Sequence, residues 1–490
     1  MVVGPDPAGG VAAALLGRRG PRVLLCGHDQ PPPTFSAGPF TLLREPPLLP
    51  PPDAEPVARV YAELNCAPML RRRAPGRFPA FQLVFPKHRL DVPEGAAAFA
   101  RELGREFPRD ADAAGEAFDR MRAASGVLGA LLGSDVALPP EGFWERREVS
   151  RFEHELARAG TDPLAPLPPA HPLRAGLAAM AAMSAALAPE DMPGPALARA
   201  IDVARRGAHL IDGDTAGLRG LVLEWLAAAS IETRDGLQVA EIVMKRGRPA
   251  AVRVRPRDEI IGLEHLVWAG PIPPLLALLD DKTGRRLREV GGALRPAAFR
   301  YTLCLLLRPE GVPAGLGARA IAIADPAQPL RDDNALAVTV GAPARRADRV
   351  PVWVQCLVPA SAAGALGVVR ARVRERLARL MPFHERHLVC AASPHDGLPP
   401  EIPGTAAADL TAVPPSPMTP VTAYDLPRAL GVGGVPHATG VRHLAIASSD
   451  NLPGLGPEGA FASGWAVAGA IAGPREKRDR PRREILSEDS

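Results

Sequence analysis

The chain opens Met1-Val-Val-Gly4-Pro-Asp6-Pro-Ala-Gly9-Gly10, then runs through small residues from Val11 to Leu16 and reaches Arg22-Val-Leu-Leu-Cys26 after Arg18-Arg19-Gly20. Two β-branched residues, a glycine turn, a small-residue helix and an apolar strand fit only a tight βαβ unit with parallel strands. In a dinucleotide-binding unit of this kind the first glycine makes the turn. The second lets the backbone approach a pyrophosphate, and the third lets the helix pack closely on the strand. Gly4 and Gly9 hold the outer positions here, Gly10 follows, and Asp6 takes the middle one. The acidic residue that would hold a ribose after the second strand aligns with Gly27, with His28 and Asp29 as neighbours.

A second constraint lies at the far end. His443-Leu-Ala-Ile-Ala reads as a strand that runs into Ser448-Ser449-Asp450, a proline–glycine loop and a small-residue helix from about 458 to 471. An Asp at a strand end can hydrogen-bond ribityl or phosphate-side hydroxyls, and a helix N-terminus stabilises negative charge. The middle of the chain supplies Gly213-Asp214-Thr-Ala-Gly217, with Asp214 at the N-cap position of a helix. Two strands, Gln238 to Met244 and Ala250 to Val254, follow around a Lys245-Arg-Gly-Arg248 turn, and a further apolar strand spans Leu263 to Ala269.

Helical periodicity covers 95–133 and again about 172–210. Residues 298–308, 318–323, 335–341 and 350–358 read as strands with no helix between them, which predicts an antiparallel sheet. An arginine-rich amphipathic helix at 361–381 ends before Pro382. Nucleotide-binding texture at both ends and in the middle predicts an α/β fold with two discontinuous domains. A Rossmann-like cofactor domain is expected from 1–90, 205–275 and 420–475. A mixed α+β substrate domain, an antiparallel sheet plus helices, takes 91–204 and 276–419, and 476–490 is expected to be a disordered charged tail.

These segments, in this order, resemble the phytoene desaturase-like branch of the FAD-dependent amine oxidoreductases. That family ends with a strand, a Gly-Asp pair, an FPGxG-like loop and a flavin-facing helix; Ser449-Asp450 stands in place of Gly-Asp. The resemblance implies FAD as cofactor. It implies binding through Gly4, Asp6, Gly9, Gly10, the backbone of Val239 beside adenine, and Ser449, Asp450, Pro453, Gly454, Gly456 and Gly459. It also implies a lipophilic, isoprenoid- or carotenoid-like substrate that is desaturated, saturated or isomerised by hydride transfer, with the flavin carrying the chemistry. No catalytic acid or base is named. The alternative that stays open is a flavoprotein fold kept as a binding or scaffold protein.

Other classes fall away. Hydrophobic residues make up 47% and charged residues 23%, ordinary globular values. The net charge is only +4, and all but four of the 58 basic residues are arginine, so codon bias explains the high pI. With 4% aromatic residues and no basic stripe, nucleic acid is not expected as a partner. The scattered cysteines Cys26, Cys66, Cys304, Cys356 and Cys390 lack a CxxC pair and read as reduced thiols. No leader pattern opens the sequence and the apolar run Ala175 to Ala188 is too short to span a bilayer. A cytoplasmic protein, free or peripheral to a membrane, is expected. His384, His387, Cys390 and His395 lack paired metal-ligand spacing, so no metal is expected. No Gly-x-Ser-x-Gly elbow or HExxH supports a hydrolase.

Overall fold

The computed structural model describes residues 1–473 except 5, 29–30, 75–76, 79–80, 161, 190–191, 212–216, 293, 342–347 and 425–428. Asp29, Asp214 and the tail 476–490 therefore lie outside the described residues.

The opening segment does what its glycines require. Strand Val2–Val3 ends in Gly4 at φ 115°, helix Pro7–Arg19 follows, and the chain returns as strand Leu24–Cys26. A Cβ on Gly4 would sit 2.3 Å from the carbonyl oxygen of Ala269, and one on Gly9 would sit 2.1 Å from the Ala269 Cβ. Gly4 thus serves the turn and Gly9 the close helix–strand contact. Val2–Val3 lies in the middle of a five-stranded sheet, ordered Glu232–Arg234, Leu24–Cys26, Val2–Val3, Leu266–Trp268, Leu444–Ile446, and every pairing is parallel. Strands from the start, middle and end of the chain therefore share one sheet. Its faces carry the first helix, helix Gly217–Ala228 and the C-terminal helix Pro457–Ile471 around a common core that includes Val11, Leu15, Trp225 and Phe461.

Beside this sheet, Gln238–Lys245, Arg248–Arg255 and Glu259–Gly262 form a three-stranded antiparallel layer. Arg246 and Gly247 both adopt positive φ at the hairpin tip, as a two-residue turn of this hand needs.

The larger sheet has eight strands built around Leu294–Leu307, which pairs with Val350–Pro359, Leu388–Ala392 and Thr419–Tyr424. Ala335–Val340, Arg319–Ile323, Phe81–Val84 and Arg89–Val92 extend it. The expected antiparallel order holds with one exception. Arg319–Ile323 runs parallel to Phe81–Val84, because the latter enters from the N-terminal part of the chain rather than through a hairpin.

The two helical regions each divide. Ala96–Glu106 and Ala111–Leu132 flank Pro108, and Pro172–Ser184 and Gly194–Arg205 flank Pro189 and Pro193. Proline removes a helical donor and disfavours helix in the residue before it. Helix Phe143–Ala159 was not expected from its mostly charged sequence; Glu145 accepts hydrogen bonds from the backbone N–H groups of Glu141 and Gly142 at its start.

The glycine contact gives a direct test. Gly9→Ala forces the first helix away from Ala269, and overpacking of this kind costs roughly 1–3 kcal/mol. A lowered melting temperature with retained far-UV circular dichroism is the expected result.

Candidate functional site

The first helix points its N-terminus at the carboxyl end of the parallel sheet, where orphan amides and the helix dipole attract an anion. Asp6 is already there. It is the N-cap, with one carboxylate oxygen accepting from the N–H of Ala8 at 2.9 Å. The other oxygen accepts from the N–H of Ser449 at 2.8 Å, in the loop after strand Leu444–Ile446. A single half-buried carboxylate therefore links the N-terminal glycine turn to the loop after the last strand.

Asp450 stands next to this bridge and is half-buried. Burial, aided by the Asp6 charge, pushes its carboxyl up to about 7. Burial raises the Asp6 carboxyl too, against the lowering effect of its bonds to Ala8 and Ser449. The Asp450 backbone is fixed: its carbonyl accepts from the Val435 N–H at 2.9 Å, and buried Asn451 donates to the Val435 carbonyl at 2.9 Å.

A shallow cleft opens beside Asp6. Gly4, Gly10, Gly27 and Leu25 line it from the first βαβ unit; Arg219, Val222 and Asp235 line the other side. Arg219 pairs with Asp235 at 3.5 Å. Sequence reasoning missed both residues, because nothing in local spacing says that a helix residue and a post-strand loop residue will face the same glycine turn.

The other expected site residues divide into two groups. Val239 lies on the hairpin layer, and its N–H donates to Nδ1 of His28 at 3.1 Å, with the His28 ring edge-on to Trp268 at 5.0 Å. Pro453, Gly454, Gly456 and Gly459 sit where the last loop packs on the helical layer. A Cβ on Gly456 would lie 2.0 Å from the Ser184 carbonyl oxygen, one on Gly454 2.9 Å from the Val432 Cα, and one on Gly459 2.6 Å from the Leu452 carbonyl oxygen. Close protein packing explains those glycines without a ligand.

A buried ion cluster at the start of the C-terminal helix has no signature in local spacing. Glu458, 2% exposed, pairs bidentately with Arg199, which also pairs with Glu55 and donates to the Ser125 carbonyl at 3.2 Å. Burial alone would raise the Glu55 carboxyl, but Arg199 outweighs it and holds the group below its usual value.

The histidines of the loosely metal-like stretch are used separately. The Nδ1 of His384 contacts the Met381 carbonyl and that of His395 the Ser416 carbonyl. Glu264, His265 and His443 do come together, at the opposite end of the parallel sheet. The two rings stack at 4.3 Å and 17°, so their lone pairs run side by side rather than converging.

No protein-family model matches the chain, and no curated protein matches it in sequence. Solved structures do match in fold. A triple mutant of putrescine oxidase is similar over 96% of this chain and 97% of its own, at 14% identity and a TM-score of 0.59. An oxidoreductase from Methanosarcina mazei is similar over 96% and 99%, at 13% identity and 0.56. Cyclohexylamine oxidase from Brevibacterium oxydans IH-35A is similar over 98% and 99%, at 12% identity and 0.55. The chain shares the fold of these proteins along nearly its whole length.

The Asp6–Asp450 pair has a measurable signature. As pH rises through about 7 Asp450 ionises beside Asp6, so the pair destabilises the folded state progressively. Asp6→Asn keeps an N-cap and removes one charge. The melting temperature of Asp6→Asn relative to wild type should therefore rise between pH 5 and pH 8. The change should be on the order of 1 kcal/mol, allowing for solvent screening of half-exposed groups.

Proposed function

We propose that the protein is an FAD-dependent oxidoreductase acting on a lipophilic, isoprenoid- or carotenoid-like small molecule. The observation that carries this reading is the convergence of the glycine turn and the Arg219–Asp235 side on one cleft, with the Ser449 loop tied to it through Asp6, in a fold shared with putrescine oxidase and cyclohexylamine oxidase.

The residues fit the cofactor at most points. Gly4 and Gly9 keep the turn and the helix approach that a dinucleotide needs. The amides of Ala8 and Ser449 would donate to a diphosphate, and the Asp450 carboxyl would bond a hydroxyl of the ribityl chain. Asp6 is the one group in the way: its carboxylate holds both donors and has to turn aside. Bound flavin supplies hydride exchange with a C–H bond of the substrate. This chain's contribution would be to hold the diphosphate and to fix the last loop through Asn451.

The substrate class rests on composition and surface. Helix Pro172–Ser184 is apolar throughout its buried face, with Met180 and Met183 in the core. Phe143 and Trp144 are 69% and 70% exposed at the start of a helix that continues with exposed Arg146 and Arg147. Aromatic and basic side chains together suit a membrane interface, where a lipophilic substrate would be collected. No helix among the described residues is long and apolar enough to cross a membrane.

Gently purified protein should show flavin absorption bands, directly or after incubation with FAD; a preparation that stays colourless with excess FAD favours a binding or scaffold protein. Gly27 adds a second test. It does not adopt positive φ, and a Cβ there meets no atom nearer than 3.5 Å, so a side chain is accommodated. Gly27→Glu restores an acceptor for the ribose hydroxyls. It should tighten FAD binding about tenfold, the scale of one hydrogen bond to a charged group, in fluorescence titration.

A further inference from the structure

We propose that Asp6 is the crevice's resident anion, a tethered substitute for a ligand diphosphate that holds the glycine turn to the Ser449 loop until a diphosphate ester displaces it. The dinucleotide identity of that ligand rests on the flavin reading above; the displacement itself does not.

An ordinary N-cap uses one side-chain oxygen on its own helix. Asp6 uses its second oxygen on a backbone amide 443 residues away. Those two donors, a first-turn helical N–H and a loop N–H across the crevice, are what a phosphate group binds at such a place. Pro7 at the first helical position removes another N–H, so the carboxylate takes a large share of the remaining donor capacity. Open space adjoins this contact on the side lined by Gly4, Gly10 and Gly27, where bare backbone leaves a ligand room to enter.

The charged groups facing Asp6 give the displacement its sign. Asp450 faces it from the last-strand loop; across the cleft stand Arg219 on helix Gly217–Ala228 and Asp235 after strand Glu232–Arg234, paired with each other. A diphosphate that enters brings negative charge against two carboxyl groups and a cation already shared. Entry therefore favours the protonated forms of Asp6 and Asp450, both of which burial holds above the ordinary carboxylate range. Binding takes up protons and weakens as pH rises. A ligand without phosphate does not compete with Asp6 at all.

The experiment is a calorimetric or fluorescence titration of ADP, FAD and riboflavin into wild type, Asp6→Gly and Asp6→Asn at pH 6 and pH 8. Asp6→Asn keeps a competent cap, so it remains informative if Asp6→Gly folds poorly. At pH 8 both variants should bind ADP and FAD roughly fivefold to a thousandfold more tightly than wild type. That range corresponds to removing a unit charge ~4 Å from a phosphate at effective dielectrics between 80 and 20. Riboflavin binding should be unchanged. Wild type should lose ADP affinity between pH 6 and pH 8 by up to about tenfold per unit for each proton taken up, and Asp6→Asn should lose less. Equal ADP affinity in wild type and both variants, an equal gain for riboflavin, or no ADP binding by any form overturns the proposal. A gain for ADP with no binding of FAD or riboflavin sustains the displacement and overturns the flavin reading. Tight FAD binding that ignores Asp6 does the reverse.

Discussion

The helix Pro7–Arg19 lies so close to strand Leu266–Trp268 and its continuation that no Cβ fits at Gly4 or Gly9 without moving Ala269. This approach fixes where the helix N-terminus points, and the positive end of its dipole is then aimed at the carboxyl end of the parallel sheet. Something negative has to satisfy those amides. In this chain the local sequence meets the demand with Asp6, and the placement of Ser449, Asp450 and the cleft residues follows from where that carboxylate sits.

The far end of the Ser449–Gly459 loop is governed by a different force. Arg199 is buried among Glu458, Glu55 and Ser125, and the four residues come from four separate helices. A guanidinium buried this deeply is tolerated only because its planar fork meets two carboxylates, and removing one partner leaves an uncompensated charge. Glu458 is at the second position of the C-terminal helix, where a carboxylate also suits the helix dipole. The loop is thus held by Asp6 at one end and by the Arg199 cluster at the other.

What could be read from the sequence follows this division. Short-range signals were sufficient for the glycine turn, the hairpin tip at Arg246-Gly247, the strands from 298 to 358 and the C-terminal strand–loop–helix, because each depends on dihedral or periodic constraints within a few residues. The division of the long helical regions at Pro108 and at Pro189–Pro193 is equally local, although the apolar periodicity runs on across it. The parallel edge contact between Arg319–Ile323 and Phe81–Val84 was not legible, since register between segments so far apart is set by the packed core. The same holds for the Arg199 cluster and for Arg219 facing Asp235. Gly454, Gly456 and Gly459 show the converse: a motif drew attention to a ligand, while backbone and side-chain approaches within the protein already account for their lack of a Cβ.

The crevice satisfies itself at two places, and the two contacts differ in what they resist. His28 accepts from the Val239 N–H as a neutral imidazole nitrogen, so a ligand that offers its own acceptor exchanges one uncharged hydrogen bond for another. That exchange is nearly even in free energy, because each donor keeps a partner throughout. Asp6 is charged, and an incoming phosphate that takes its donors leaves the carboxylate to be hydrated or protonated beside Asp450. The resistance at the helix N-terminus is therefore electrostatic and responsive to salt, while that at Val239 is the exchange of one hydrogen bond for another. Selection for cofactor retention would act first on Asp6. Selection for a stable cofactor-free protein would preserve it, because the same carboxylate caps the first helix and ties down the last loop.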